Sequence, residues 1–268
     1  MTRGYDTQPT KRTGPERTGL PASRHDEQVD VLVVGLLALG CLALVVAGGL
    51  DARRMLRARR EPAPAPSAPT GPRRVVIVRH GETAWSRTGR HTGCTDVPLT
   101  DAGRAEASAL APALAGWTFD AVLVSPLERA RDTLALLGRP EPPTVLEDLR
   151  EWDYGDDEGR TTVEIRAERP GWDIWDAGPA GGETVDDLVA RTARVLRRAA
   201  EVDGDVLVVA HGHVLRVLAA RWLGLDPRAG RLLALDPASM SVLDHEREQR
   251  VLRSWNVRAP SAPGDAGR

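Results

Sequence analysis

The chain has a single lysine, Lys11, among 36 basic residues, and only two cysteines. Cys41 lies in an apolar run and Cys94 in a later polar stretch, so neither a disulfide framework nor a cysteine-built metal site is available. A net charge of one sign is also missing: 36 basic against 38 acidic residues leave -2, which gives no reason to expect a nucleic-acid partner. No segment repeats. The arginine-for-lysine bias, with much Ala, Gly and Pro, reflects a GC-rich genome rather than a function. What is present is a chain of 268 residues, enough for one main domain plus appendages.

Residues 1–30 are polar and lack apolar periodicity, which reads as a disordered tail. The run from 31 to 50, VLVVGLLALGCLALVVAGGL, then carries no charge. Its length matches a bilayer core at helical rise, and a buried soluble helix is seldom apolar on every face, so a single transmembrane helix is predicted. Arg53, Arg54, Arg57, Arg59 and Arg60 crowd its C-terminal flank. This places the downstream part on the cytoplasmic side of the cell membrane. A start at Met55 would instead give a soluble, cytoplasmic protein with no anchor. Residues 51–72 form a basic, then Pro/Ala-rich linker (EPAPAPSAPTGP from Glu61) of extended type.

From 73 to 258 strand-like and helix-like segments alternate, which predicts an α/β domain with a mostly parallel sheet. Strands are expected at Val75–Val78, Ala121–Ser125, Thr144–Leu146, Asp205–Ala210, Ser241–Leu243 and Val251–Trp255. Helices are expected from Thr100 (as N-cap) to Leu114, Pro126 to Leu137, Thr184 to Ala200 and His213 to Leu223. Residues 259–268 read as a loose tail.

The chemistry concentrates at strand ends, where open α/β sheets bind ligands. Arg79-His80-Gly81 follows the first strand, Ser125-Pro-Leu-Glu-Arg-Ala-Arg131 the second, and Ala210-His-Gly-His213 the apolar strand before it. A fourth segment, Leu149-Arg-Glu-Trp-Asp-Tyr-Gly155, adds carboxylates. Together they supply what phosphoryl transfer needs: cations for the oxygens, a nucleophile in line and an acid for the leaving oxygen.

These segments, with Glu82-Thr83, Asp96-Val-Pro-Leu-Thr100 and Gly103, resemble the histidine phosphatase superfamily, in its phosphoglycerate-mutase-like branch, over about residues 74–256. The resemblance implies a three-layer α/β/α fold. It implies His80 as the nucleophile that becomes phosphorylated and Glu151 as proton donor. Arg79, Arg129 and His211 would bind the phosphate, with Gly212 beside them. Ser86 and Thr92 stand where many members have Asn and Gln; their hydroxyls can still reach a phosphate oxygen, over a shorter span. Trp85-Ser86, Thr92-Gly93 and Gly171-Trp-Asp-Ile-Trp175 are similar to the narrower group that includes fungal sedoheptulose-1,7-bisphosphatase, which implies a phosphorylated sugar.

Glu151 competes with Glu147, Asp148, Asp153, Asp156 and Asp157 for a plain reading as a solvated acidic loop. Its role needs a carboxyl that arrives protonated, which burial or a phosphate anion promotes. Arg131, two residues past Arg129, points elsewhere and reads as structural. His213 reads as a helix-start residue behind the site, His91 either as a loop residue facing substrate or as a plain loop histidine, and His25 and His245 have no supporting context. No metal or other cofactor is called for, because arginines supply the positive charge. The expected function is hydrolysis of a small phosphorylated metabolite. A phosphoglycerate-type mutase, a protein-phosphohistidine phosphatase and a membrane-tethered binding module without activity are the alternatives. The short stretch between Glu151 and Thr184 favours hydrolysis, since mutases of this type carry a longer cap there.

Overall fold

The computed structural model describes residues 73–259. The expected tail, membrane span and linker of residues 1–72, with the end from 260, lie outside the described residues. Among the described residues no helix is long and apolar enough to cross a membrane.

Six strands form one mixed sheet: β1 (Val75–Arg79), β2 (Ala121–Val124), β3 (Pro143–Val145), β4 (Val206–Ala210), β5 (Ser239–Glu246) and β6 (Gln249–Arg258). They lie in the order β3-β2-β4-β1-β5-β6. The pairs β3-β2, β2-β4 and β4-β1 are parallel, whereas β5 is antiparallel to both β1 and β6. Five strands therefore point one way and β5 opposes them, the expected mostly parallel sheet with one reversed strand. The period of two along β1 divides its side chains between two cores. Val75 and Ile77 join Leu188, Leu215 and Trp152 on one face, while Val76 and Val78 join Leu110, Leu114 and Leu134 on the other. Helices cover both faces, which makes three layers.

The helices are α1 (Ala84–Arg87), α2 (Asp101–Leu110), α3 (Glu128–Leu136), α4 (Thr162–Glu168), α5 (Ile174–Ala177), α6 (Val185–Ala200) and α7 (Gly212–Trp222). α2 starts where expected, with the Thr100 hydroxyl accepting from the Gly103 amide, and gives way to a 3-10 turn at Ala111–Leu114 where Pro112 cannot continue the ladder. The four-residue α1 and seven-residue α4 were not expected. Each is fixed by a reciprocal capping box, Thr83 with Ser86 and Thr161 with Glu164, rather than by an apolar stripe. The last two strands run longer than expected and form a hairpin. Its turn passes through Arg247 at φ 57, and the charged residues of both arms hide their strand character from a hydropathy reading.

Candidate active site

β1 and β4 are adjacent at the centre of the sheet, and Arg79 is in register with Ala210. His80 and His211 therefore leave the sheet side by side, with ring centroids 5.1 Å apart. Gly81 allows the chain after His80 to press onto the start of α2: a Cβ there would meet the Gly103 carbonyl oxygen at 2.3 Å. The Gly81 amide donates to Thr133 Oγ1 at 3.0 Å, tying the loop to α3. The Asp96–Thr100 segment is scaffold for the same loop. The Asp96 carboxylate caps α3 by accepting from the Glu128 amide, and Thr100 Oγ1 donates to Glu82 Oε1 at 2.8 Å.

His80 is buried, and its Nδ1 lies 2.7 Å from the Gly81 carbonyl oxygen. A carbonyl only accepts, so Nδ1 carries the proton and Nε2 keeps its lone pair. Burial first, then the guanidinium groups of Arg79 and Arg129, hold this imidazole well below its usual pKa, in the neutral form a nucleophile needs. His211 has the opposite tautomer. Arg129 Nε–H donates to its Nδ1 at 3.1 Å, which leaves the proton on Nε2 to donate to Ser125 Oγ at 2.7 Å. Burial, and then the charge of Arg129, keep His211 neutral as well.

Glu151 is buried in the irregular segment between a 3-10 turn at Glu147–Leu149 and Gly155. Its Oε1 accepts from the amides of Trp152 and Val214 at 3.0 Å each, and its Oε2 from the amide of His213 at 2.9 Å. Two of these amides belong to the first turn of α7, where the helix favours an anionic group. Gly212 opens that turn; a Cβ on it would lie 3.4 Å from Arg79 Cζ and 3.5 Å from Glu151 Oε2.

These groups meet at a small cleft of about 180 Å³, lined by Arg79, His80, Glu151, Gly212, Ser86 and Thr92 and also by Arg90, His91, Tyr154, His213 and Arg216. Arg79 donates from Nη1 to the Leu235 carbonyl, while its buried Nε–H has no partner. Such an orphan in a cleft marks a missing acceptor. Arg129 lies beneath, with no exposed surface, and donates to the carbonyls of Thr95, Thr92 and Gly93. The buried Arg129 and the half-buried Arg79 against one buried carboxylate leave the site with a local excess of positive charge, which suits a phosphate.

A family profile for the histidine phosphatase superfamily (branch 1) matches residues 75–258. The chain belongs to that superfamily. It is 39% identical over 199 residues to the acid phosphatase of Mycobacterium tuberculosis, covering 72% of this chain and 97% of the relative. It is 36% identical over 185 residues to sedoheptulose 1,7-bisphosphatase of Saccharomyces cerevisiae, with 57% of this chain and 68% of the relative aligned. Among solved structures, mycobacterial glucosyl-3-phosphoglycerate phosphatase superposes with a TM-score of 0.61 at 31% identity, covering 69% of this chain and 99% of that one. With named phosphatases among its relatives, this histidine phosphatase superfamily member is a phosphoric monoester hydrolase.

In this phosphatase the four expected segments do converge, but at two depths. Arg79, His80, Glu151, Gly212, Ser86 and Thr92 line the cleft, whereas Arg129 and His211 are wholly buried and do not line it, the His211 ring centroid lying 5.1 Å from that of His80. The Ser86 hydroxyl is engaged in its capping box, and Thr92 Oγ1 donates to the Arg90 carbonyl at 3.0 Å. His91 lines the cleft, and burial lowers its pKa. His213 lines it too, hydrogen-bonded to the Tyr154 hydroxyl at 2.7 Å. Arg131 is exposed on α3, away from the cleft. The sequence reading missed Arg90, Tyr154 and Arg216. Arg216 was within reach of it, because it follows Gly212 by four residues on a recognised helix and shares its face.

Proposed function

We propose that this phosphatase hydrolyses a small phosphorylated metabolite, a sugar phosphate, through a phosphohistidine at His80 with Glu151 as proton donor. The observation that carries this reading is the unpartnered Nε–H of Arg79 in the same cleft that His80, with its Nε2 free, also lines. A phosphate oxygen supplies the missing acceptor and brings phosphorus to the lone pair. Nε2 attacks phosphorus, the ester P–O bond breaks, and the leaving oxygen takes the proton that Glu151 acquires as the phosphate's negative charge enters beside it. Positive charge that develops on the ring is stabilised through Nδ1–H by the Gly81 carbonyl. Water then attacks phosphorus, the P–N bond breaks, and Glu151 recovers its proton as phosphate and neutral His80 are released. Arg129 and His211 act from below, as a fixed positive charge and as the group that orients it. The arginines carry the charge neutralisation, so the scheme needs no metal.

The cleft's limited volume and the cations Arg90 and Arg216 along its lining suit a compact, polar leaving group. The test is phosphate release from a panel of sugar mono- and bisphosphates by the full chain with EDTA present, beside His80→Ala. Release that EDTA abolishes, or that survives the substitution, would refute the scheme. A mutase uses the same first step, and the chain is also 32% identical over 210 residues to a phosphoglycerate mutase of Gloeobacter violaceus. Interconversion of labelled phosphoglycerates with little free phosphate would establish that second reading.

The proposal includes a membrane tether through residues 31–50, with the catalytic domain on the cytoplasmic side. Its support is the uncharged run and the arginines that follow. Fractionation of cells carrying a C-terminally tagged protein tests it: a wholly soluble product starting near Met55 would refute the tether.

A further inference from the structure

The buried face of α6 carries Val185, Leu188, Thr192, Val195 and Ala199, and also Arg191, only 6% exposed. A charge on an apolar helix face costs desolvation unless every donor is met. Here every donor is met. Arg191 Nε–H donates to Glu183 Oε1 at 2.6 Å, and Nη2 to Glu183 Oε2 at 2.8 Å. Nη1 donates to the carbonyls of Asp148 at 2.9 Å and Arg150 at 2.6 Å, and Nη2 also to the carbonyl of Glu151 at 3.0 Å. Two of the five bonds therefore end on the backbone of the segment that carries the proposed proton donor, and a third on the 3-10 turn just before it.

Glu183 holds the next residues of the same segment. Its Oε2 accepts from the Asp153 amide at 3.2 Å, its carbonyl from the Trp152 indole N–H at 2.8 Å, and its amide donates to the Asp153 carbonyl at 3.0 Å. The approach is close: a Cβ on Gly182 would meet the Asp153 carbonyl oxygen at 2.2 Å. The segment from 150 to 154 has no helical or strand ladder of its own. Its position is set by this clamp and by the amides that hold the Glu151 carboxyl.

We propose that Arg191 and Glu183 are positioning residues for proton donation by Glu151. The inference rests on Glu151 being the acid. A general acid acts only within hydrogen-bond reach of the leaving oxygen, and an ångström of misplacement costs on the order of 100-fold. Loosening the clamp slows departure of a leaving group that needs a proton and spares one that leaves without it.

The test compares kcat/KM, which reports phosphohistidine formation, for p-nitrophenyl phosphate and for the best sugar phosphate of the panel. Glu151→Gln serves as reference and should lose about 10²–10⁴-fold on the sugar phosphate. On the aryl ester its loss should be much smaller. Arg191→Lys and Glu183→Gln should repeat this bias with about 10–100-fold loss on the sugar phosphate. Leu188→Ala, which loosens the same helix face without touching the clamp, should lower thermal stability and show no bias. Equal losses on both substrates in the clamp variants, or the same bias in Leu188→Ala, overturn the positioning role. A reference variant without bias removes Glu151 as the acid, and the proposal falls with it. Should Arg191→Lys not fold, Glu183→Gln decides alone.

Discussion

His80 Nδ1–H donates to the carbonyl of Gly81, its immediate neighbour in the chain, across 2.7 Å. The tautomer of this proposed nucleophile is thus fixed by the turn that also carries it out of β1. Exchange of His80 for alanine removes the lone pair while leaving the turn in place. Phosphate release should fall by about 10³-fold or more, the scale on which nucleophile removal acts in other covalent enzymes. Brief incubation with radiolabelled substrate should label the native protein with phosphate that is lost in acid and kept in alkali. An unlabelled native protein that still turns over would remove the covalent step.

Stability should depend on pH through the buried histidines. Burial is the largest cause of the lowered pKa of His80, His211 and His213, with nearby guanidiniums adding to it. Between each folded value and about 6.5, the unfolded chain binds more protons than the folded one. The stability that these neutral rings provide is complete above that unfolded value and declines as pH falls below it. Denaturant midpoints at pH 7.5 should therefore exceed those at pH 5.5. His211→Gln should flatten the dependence relative to its own stability at pH 7.5. A midpoint constant across this range would contradict the buried neutral state.

The strands and long helices were legible because their signals are local. β1 and β4 are short apolar runs rich in β-branched residues, and Thr100 and Thr184 are visible caps. The horizontal layout of the site was legible too, since parallel strands deliver their C-terminal residues to one edge. Its depth was not. Motif spacing places Arg129 and His211 near the phosphate but says nothing of whether their side chains line the cleft or are wholly buried. Arg191 was passed over because periodicity reads a polar residue as a break in the apolar stripe, when its burial is the informative fact. Arg216 shows the reverse case, a helix-face neighbour of Gly212 that four-residue spacing alone would have found.

Gly212→Ala separates fold from function. A methyl there stands at ordinary contact distance from Arg79 and Glu151, and the backbone has no positive φ to strain. Stability should stay level or rise by at most about 1 kcal/mol, because alanine is the better helix residue. The methyl nevertheless takes space beside the unpartnered Arg79 Nε–H, where a phosphate oxygen is proposed to bind. A 10–100-fold lower kcat/KM, mainly through KM, is expected with an unchanged or higher Tm. Unchanged kinetics would move the phosphate away from this corner.

Arg216 tests what the leaving group carries. It reaches the cleft from α7 with its guanidinium 4.8 Å above the Trp175 ring, and it donates to the carbonyls of Gly230 at 2.8 Å and Arg231 at 3.0 Å. Those bonds use Nε and Nη2 and leave Nη1 for a ligand. If that ligand is a second anionic group of the substrate, Arg216→Ala should cost a bisphosphate about tenfold or more in kcat/KM. That is the scale of one charged hydrogen bond, about 1.5–3 kcal/mol. A monophosphate without the second anion should lose little. Equal losses on the two would instead make Arg216 a brace for the 227–232 turn, since release of the Gly230 and Arg231 carbonyls disturbs the cleft whatever the substrate.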